Sequence, residues 1–167
     1  MDALELKKLQ TPLKEKYRDD PQTAVITLKA EGKIGENLSC KVSTGRAVVE
    51  AGLHPATGGT GLQLCSGDML LEALVACAGV TLNAVATAMN ITLKSAVVKA
   101  EGDINFAGTL GVLKDAPVGF FAIRLFFILD TDAEEAQLQK LKELTERYCV
   151  VYQTLTKGVS IETSFIH

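Results

Sequence analysis

The stretch from Ser66 to Asn90, SGDMLLEALVACAGVTLNAVATAMN, constrains this chain more than any other, because it is apolar on nearly every face of the helix it would form. Ser66 is a good N-cap for such a helix. At ~22 residues it spans ~33 Å, about the diameter of a small domain. A helix apolar all round must be covered on every side, and a chain of 167 residues has little else to cover it with. A symmetric homodimer, each copy covering part of the other's helix, is therefore expected. The same stretch approaches the length of a membrane span. However, Glu72, Thr81, Asn83 and Thr87 interrupt it, and charged groups are costly in a bilayer. A buried core helix, with no membrane partner, is the expectation.

The flanking segments read as shorter elements. Residues 3–17 follow a helical pattern that Asp19-Asp20-Pro21 stops; residues 1–20 are taken as a helical extension to a single domain over 1–167. Strands are expected at 23–30, 37–44 and 46–51, with a turn at Gly32 to Gly35. Residues 52–67 hold five glycines and form a loop of a length that is usually functional. After the long helix come strands at 94–106 and 120–130, separated by a loop at 108–119. Thr131 or Asp132 then caps a charged helix over 133–147, which runs on as a helical turn through 148–155. Gly158 opens a last strand, 159–166. Strands and helices in blocks argue for an α+β fold with mostly antiparallel sheets around the long helix.

Charge and cysteine usage narrow the chemistry. The net charge is −3 with acids and bases mixed, and no basic stripe suggests a nucleic-acid partner. The residues Met1-Asp2-Ala3-Leu4-Glu5 resemble neither a signal nor a transit peptide, so a cytoplasmic location is expected. Four cysteines are present, Cys40, Cys65, Cys77 and Cys149, without CxxC spacing, and His54 and His167 are the only histidines. That pattern gives no metal site. Cytosolic thiols stay reduced, so a disulfide here is expected to be transient and catalytic. Cys40 and Cys65 read as small fillers, although Cys65 stands where a helix dipole would favour its thiolate. His54-Pro55 reads as a turn element, and Phe120, Phe121, Phe126 and Phe127 as strand core or as the wall of an apolar pocket.

Cys77 sits mid-helix, with Leu70, Ala73, Leu74, Val80, Thr81 and Ala84 beside it on the helical wheel. So dry a wall disfavours a thiolate and raises a thiol's pKa. For Cys77 to react, a cation or hydrogen-bond donors must come from elsewhere. Asp68 and Glu72 face away from it. Either they only favour the helix N-terminus through its dipole, or they serve the site of a second subunit.

The run Ser66-Gly67-Asp68-Met69-Leu70-Leu71-Glu72-Ala73-Leu74-Val75-Ala76-Cys77 resembles the signature of the OsmC/Ohr family, where an acidic residue and a leucine pair lead through alanines to a reactive cysteine. Thr81-Leu82 continues it, and Cys149-Val150-Val151-Tyr152-Gln153-Thr154-Leu155 is similar to the family's second cysteine segment. The resemblance covers about 23 to 166. It implies an intertwined homodimer that reduces organic hydroperoxides or hydrogen peroxide. Cys77 would become a sulfenic acid, Cys149 would close a disulfide on it, and an external thiol reductant would reset the pair. No bound cofactor or metal is implied. The family usually sets an arginine against the thiolate, for which Arg46 is the match here, with Lys33 and His54 as alternatives. Asp68 fits the orienting carboxylate better than Glu72. The family's residue after the second cysteine is often proline; here it is Val150. Two other functions remain open: a non-catalytic dimer that binds a small hydrophobic ligand around Cys77, and thiol transfer without peroxide specificity.

Overall fold

The computed structural model describes residues 2–25, 27, 31–34, 40–43 and 48–166. Helix α1 (Ala3–Asp19) opens on a reciprocal cap. Glu5 N–H donates to Asp2 Oδ1 at 2.8 Å and Asp2 N–H to Glu5 Oε2 at 2.9 Å, the pairing of a capping box. The chain then makes a 3-10 turn over Pro21–Ala24, with Asp20 as its N-cap. Gln22 N–H donates to Asp20 Oδ1 and the Thr23 hydroxyl to the Asp20 carbonyl. These local bonds compete with a ladder and displace the expected start of the first strand at residue 23. Much of the rest of that expected strand lies outside the described residues.

The observed β1 (Glu31–Ile34) includes Gly32, where a turn was expected, and pairs antiparallel with β2 (Cys40–Ser43). β2 pairs antiparallel with β3 (Val48–Gly52), and β3 pairs parallel with the two-residue β4 (Leu64–Cys65), in the order β1-β2-β3-β4. Thus the glycine-rich segment is not wholly loop: it carries β4 and a 3-10 turn over Pro55–Thr57.

Helix α2 (Ser66–Ala88) follows at once. Asn90 ends it in the left-handed region, φ 55, which asparagine tolerates better than most side chains. Ile91 N–H reaches the Ala86 carbonyl at 2.9 Å and Asn90 N–H the Thr87 carbonyl at 3.1 Å, closing a Schellman motif. Strand β5 (Ser95–Ile104) then pairs with β6 (Phe120–Asp130). Between them lies α3 (Phe106–Thr109), a short helix capped by Asn105 where a loop was expected. Helix α4 (Glu135–Tyr148) begins on a capping box of Glu134 and Gln137 rather than on Thr131 or Asp132. The Thr131 hydroxyl instead donates to the Thr92 carbonyl at 2.7 Å. Helix α5 (Val150–Lys157) is separate from α4, with Cys149 between them.

No strand forms over 159–166. Val159, Ile161 and Phe165 alternate with polar residues and stand exposed. A strand is made by its ladder, and within this chain the segment has no partner strand among the described residues.

The chain divides into two compact units. One comprises Lys8–Glu72 and Ala100–Phe126, and holds the β1–β4 sheet. The other comprises Met1–Lys7, Ala73–Lys99 and Phe127–His167. Its core is Leu82, Val85, Ala86, Ile91 and Leu141, with Phe127, Leu129, Leu138 and Leu144 packed around it. Helix α2 is long and apolar enough to cross a membrane, yet its stripe of Leu82, Val85 and Ala86 lies in this core.

Candidate active site

Two cysteines from different elements of the second unit meet. Cys77, half-buried, comes from the middle of α2. Cys149 comes from the α4–α5 junction, where it is at once the last cap of α4 and the first of α5, with φ −74 and ψ 108. It is 1 % exposed. Its N–H donates to the Thr145 carbonyl at 3.0 Å, and its carbonyl accepts from Gln153 N–H at 2.9 Å. The Gln153 side chain also donates to the Glu146 carbonyl at 2.8 Å, which ties α5 back to α4. Both cysteines are free thiols, and each bears on the other's acidity.

Their acidities diverge. Burial pushes the Cys77 thiol up. Hydrogen bonds from Val151 N–H, the Cys149 thiol, Val150 N–H and the Thr81 hydroxyl outweigh it and leave Cys77 below the ordinary thiol value. The Thr81 hydroxyl has one proton, which it donates to the Cys77 carbonyl at 2.8 Å, so its help to the sulfur is the smallest. Burial also raises Cys149. The Tyr152 N–H works against that, while the hydrogen bond to Cys77 and the Cys77 charge add to it, and the thiol stays above its ordinary value. One member of the pair is thus disposed to ionise and the other to keep its proton.

The other residues singled out from the sequence are distributed as follows. Arg46 lies outside the described residues. Lys33 is in β1, opposite Lys41 of β2. His54 caps the 3-10 turn, its Nδ1 accepting from Ala56 N–H at 3.0 Å, and its ring stacks on Phe106 at 4.6 Å. That is the turn element expected of it. Asp68 is exposed in the first turn of α2, nine residues ahead of Cys77 and ~13 Å along the axis at ~1.5 Å per residue. Glu72 is exposed on the same helix. Cys65 ends β4, with its sulfur beside Gly67. Cys40 is in β2. Phe127 packs on the core of the second unit, and Phe121 and Phe126 are exposed. Arg124 is engaged across the β5–β6 ladder by Asp103 and Glu101, and the Asp103 carboxyl is held below its usual range by that guanidinium. Among the described residues no group of three His, Cys, Asp or Glu side chains is placed to hold a metal ion.

The groups that sequence reasoning missed are the main-chain N–H groups of Val150 and Val151. Residues 148–155 read as a continuation of α4, which hides a second helix N-terminus. No Ser, Thr, Asp, Asn or Gly marks it, and cysteine is not a common N-cap.

Comparison with known proteins gives the following. The family described as OsmC-like protein matches residues 59–164, more than half the chain. No curated protein matches the sequence. Among solved structures, an OsmC-like protein from Mycoplasma pneumoniae is 19 % identical with a TM-score of 0.67, covering 80 % of this chain and 89 % of that one. An organic hydroperoxide resistance protein OsmC from Legionella pneumophila is 15 % identical at a TM-score of 0.61, covering 78 % and 90 %. The organic hydroperoxide resistance protein OhrB of Bacillus subtilis is 20 % identical at a TM-score of 0.52, covering 80 % and 92 %. At these identities the likeness is one of fold, and the fold is that of OsmC-like structures.

Proposed function

The chain belongs to the OsmC-like protein family, and from that premise we propose that it is a cysteine-based thiol peroxidase acting on organic hydroperoxides or hydrogen peroxide. The observation that carries the proposal is the contact between Cys77 and Cys149 with their acidities shifted in opposite directions. Two structural neighbours are described as organic hydroperoxide resistance proteins, which supports a peroxide-related role.

In this scheme the Cys77 thiolate attacks one oxygen of the peroxide. A sulfur–oxygen bond forms, the O–O bond breaks, and the other oxygen leaves as alkoxide or hydroxide, taking a proton to become alcohol or water. Cys77 is now a sulfenic acid. The Cys149 sulfur attacks it, the S–S bond forms, the S–O bond breaks, and the hydroxyl leaves as water with the Cys149 proton. Two equivalents of an external thiol reduce the disulfide and become oxidised to a disulfide themselves. No step calls for a metal or bound cofactor. Arg46 and the Asp68 carboxylate are proposed as additional groups of the site, and the working form as a cytoplasmic homodimer. A second copy is supported by apolar side chains in water on α2, with Val80 73 % exposed, and by the uncovered tail over 159–166.

The test is a brief exposure of the reduced protein to a slight excess of an organic hydroperoxide, followed by disulfide mapping without reduction. The expected product is a rapid Cys77–Cys149 link within one chain, with turnover abolished in Cys77→Ser. Thiols that stay free, or that oxidise no faster than Cys40, would overturn the peroxidase.

A further inference from the structure

In the peroxidase reading, on which this inference rests, Cys149 must reach the Cys77 sulfur once that sulfur is oxidised. Cys149 stands alone between α4 and α5, extended at φ −74 and ψ 108. Helix α5 has eight residues, and none of them is buried. Helices shorter than about 12 residues are marginal unless packing supports them. A few bonds therefore decide where α5 lies and how the junction before it is held. Gln153 supplies two of them. Its N–H donates to the Cys149 carbonyl at 2.9 Å, closing the first turn of α5. Its half-buried side-chain amide donates to the Glu146 carbonyl at 2.8 Å. In an unbroken helix that carbonyl would accept from the N–H of residue 150. The extended Cys149 breaks the ladder and leaves the carbonyl orphaned. One glutamine thus grips the chain on both sides of Cys149. Among the described residues no other side-chain hydrogen bond joins α4 to α5.

We propose that Gln153 is a positioning residue for disulfide closure: its side-chain amide fixes α5 against the end of α4 and so presents Cys149 to Cys77. In that step the Cys149 sulfur attacks the Cys77 sulfenic acid. The S–S bond forms, the S–O bond breaks, and the hydroxyl leaves as water with the Cys149 proton. A disulfide tolerates a narrow range of separations and angles, so closure depends on how often the two sulfurs are aligned. Attack of Cys77 on peroxide needs no such alignment. Gln153 therefore governs how long the sulfenic acid survives, and with it the share that a second peroxide carries on to sulfinic acid.

Two readouts on the full-length protein test this. One is a quenched time course with an organic hydroperoxide, resolved by intact mass into sulfenic acid, sulfinic acid and disulfide. The other is the equilibrium of the Cys77–Cys149 disulfide with reduced and oxidised glutathione. In Gln153→Ala, closure slows about fivefold to tenfold, the worth of one hydrogen bond, and sulfenic and sulfinic acids accumulate. Attack on peroxide, compared at a pH where Cys77 is wholly thiolate, is unchanged. The disulfide loses stability against glutathione by the same factor as closure slows. Gln153→Glu, close in shape but an acceptor where a donor is needed, behaves likewise. Gln153→Lys, which can donate to a last-turn carbonyl, returns both readouts toward the wild type. A Gln153→Ala protein that closes at the wild-type rate overturns the proposal. So does one slowed equally in attack and closure, or a lysine variant as slow as the alanine one. Should Gln153→Ala not fold, the contrast between Gln153→Glu and Gln153→Lys decides. The glutathione equilibrium uses no peroxide. A wild type that forms this disulfide with glutathione yet never reacts with peroxide refutes the peroxidase, and the glutathione comparison then decides on Gln153 alone.

Discussion

A thiol in the middle of an apolar helix begins at a disadvantage, since burial favours its neutral form. At Cys77 that disadvantage is reversed by donors whose position depends on a helix ending one residue before Cys149 and another beginning one residue after it. The sign of the resulting pH dependence follows. Hydrogen bonds that favour S⁻ lower the pKa, so the thiolate fraction of Cys77 rises with pH and passes one half below the ordinary thiol value. Cys149, raised by burial and by its neighbour's charge, passes one half above that value. Alkylation resolved by site should therefore show two separated midpoints in one protein, with Cys77 the lower. Coincident midpoints would contradict the division of labour proposed for the pair. Both cysteines were legible in the sequence, through the alanine-rich run before Cys77 and the segment after Cys149. Their donors were not, because a main-chain N–H has no signature in side-chain chemistry.

Among the elements, legibility followed how local the signal was. Strand β6 occupies Phe120–Asp130, the limits expected from its continuous apolar run. The long helix ends at Ala88, two residues short of Asn90, because Asn90 takes the left-handed conformation of its termination motif. The errors fell where side chains compete for main-chain bonds. Asp20 and Thr23 built a turn in place of the beginning of a strand, and Thr131 was drawn to Thr92 instead of capping α4. Helix α4 is held to α2 through Leu141, which is 1 % exposed and shares the core with Leu82, Val85 and Ala86. Leu141→Ala leaves a cavity there and should cost about 2–5 kcal/mol, measured as a lower unfolding temperature at fixed protein concentration. Because Cys149 hangs from the end of that helix, the same variant should also slow peroxide-driven disulfide formation. A loss under 1 kcal/mol would mean that this core is not what fixes α4.

For the whole molecule, the apolar surface left in water is the informative feature. The expected strand over 159–166 has the alternation of a half-buried strand and, among the described residues, no ladder, with Ile161 84 % and Phe165 92 % exposed. A pair of strands is also few for an independent sheet, and β5–β6 is such a pair. With a second copy supplying the cover, sedimentation should give twice the 17.8 kDa of one chain. Deleting 159–166 should then shift the protein toward monomer and make its unfolding temperature depend more steeply on concentration. A full-length protein that sediments as one chain at all concentrations would refute this assembly.

The bare tail also bears on the fate of the chain in a cell. Alternating, apolar and without a ladder among the described residues, it has the properties of a segment that templates aggregation and that a chaperone or protease treats as unfinished. A newly made copy that finds no companion should be short-lived, and its lifetime should lengthen as its own abundance rises. Surveillance of orphan subunits would then set a floor beneath which the protein does not accumulate, whatever its rate of synthesis.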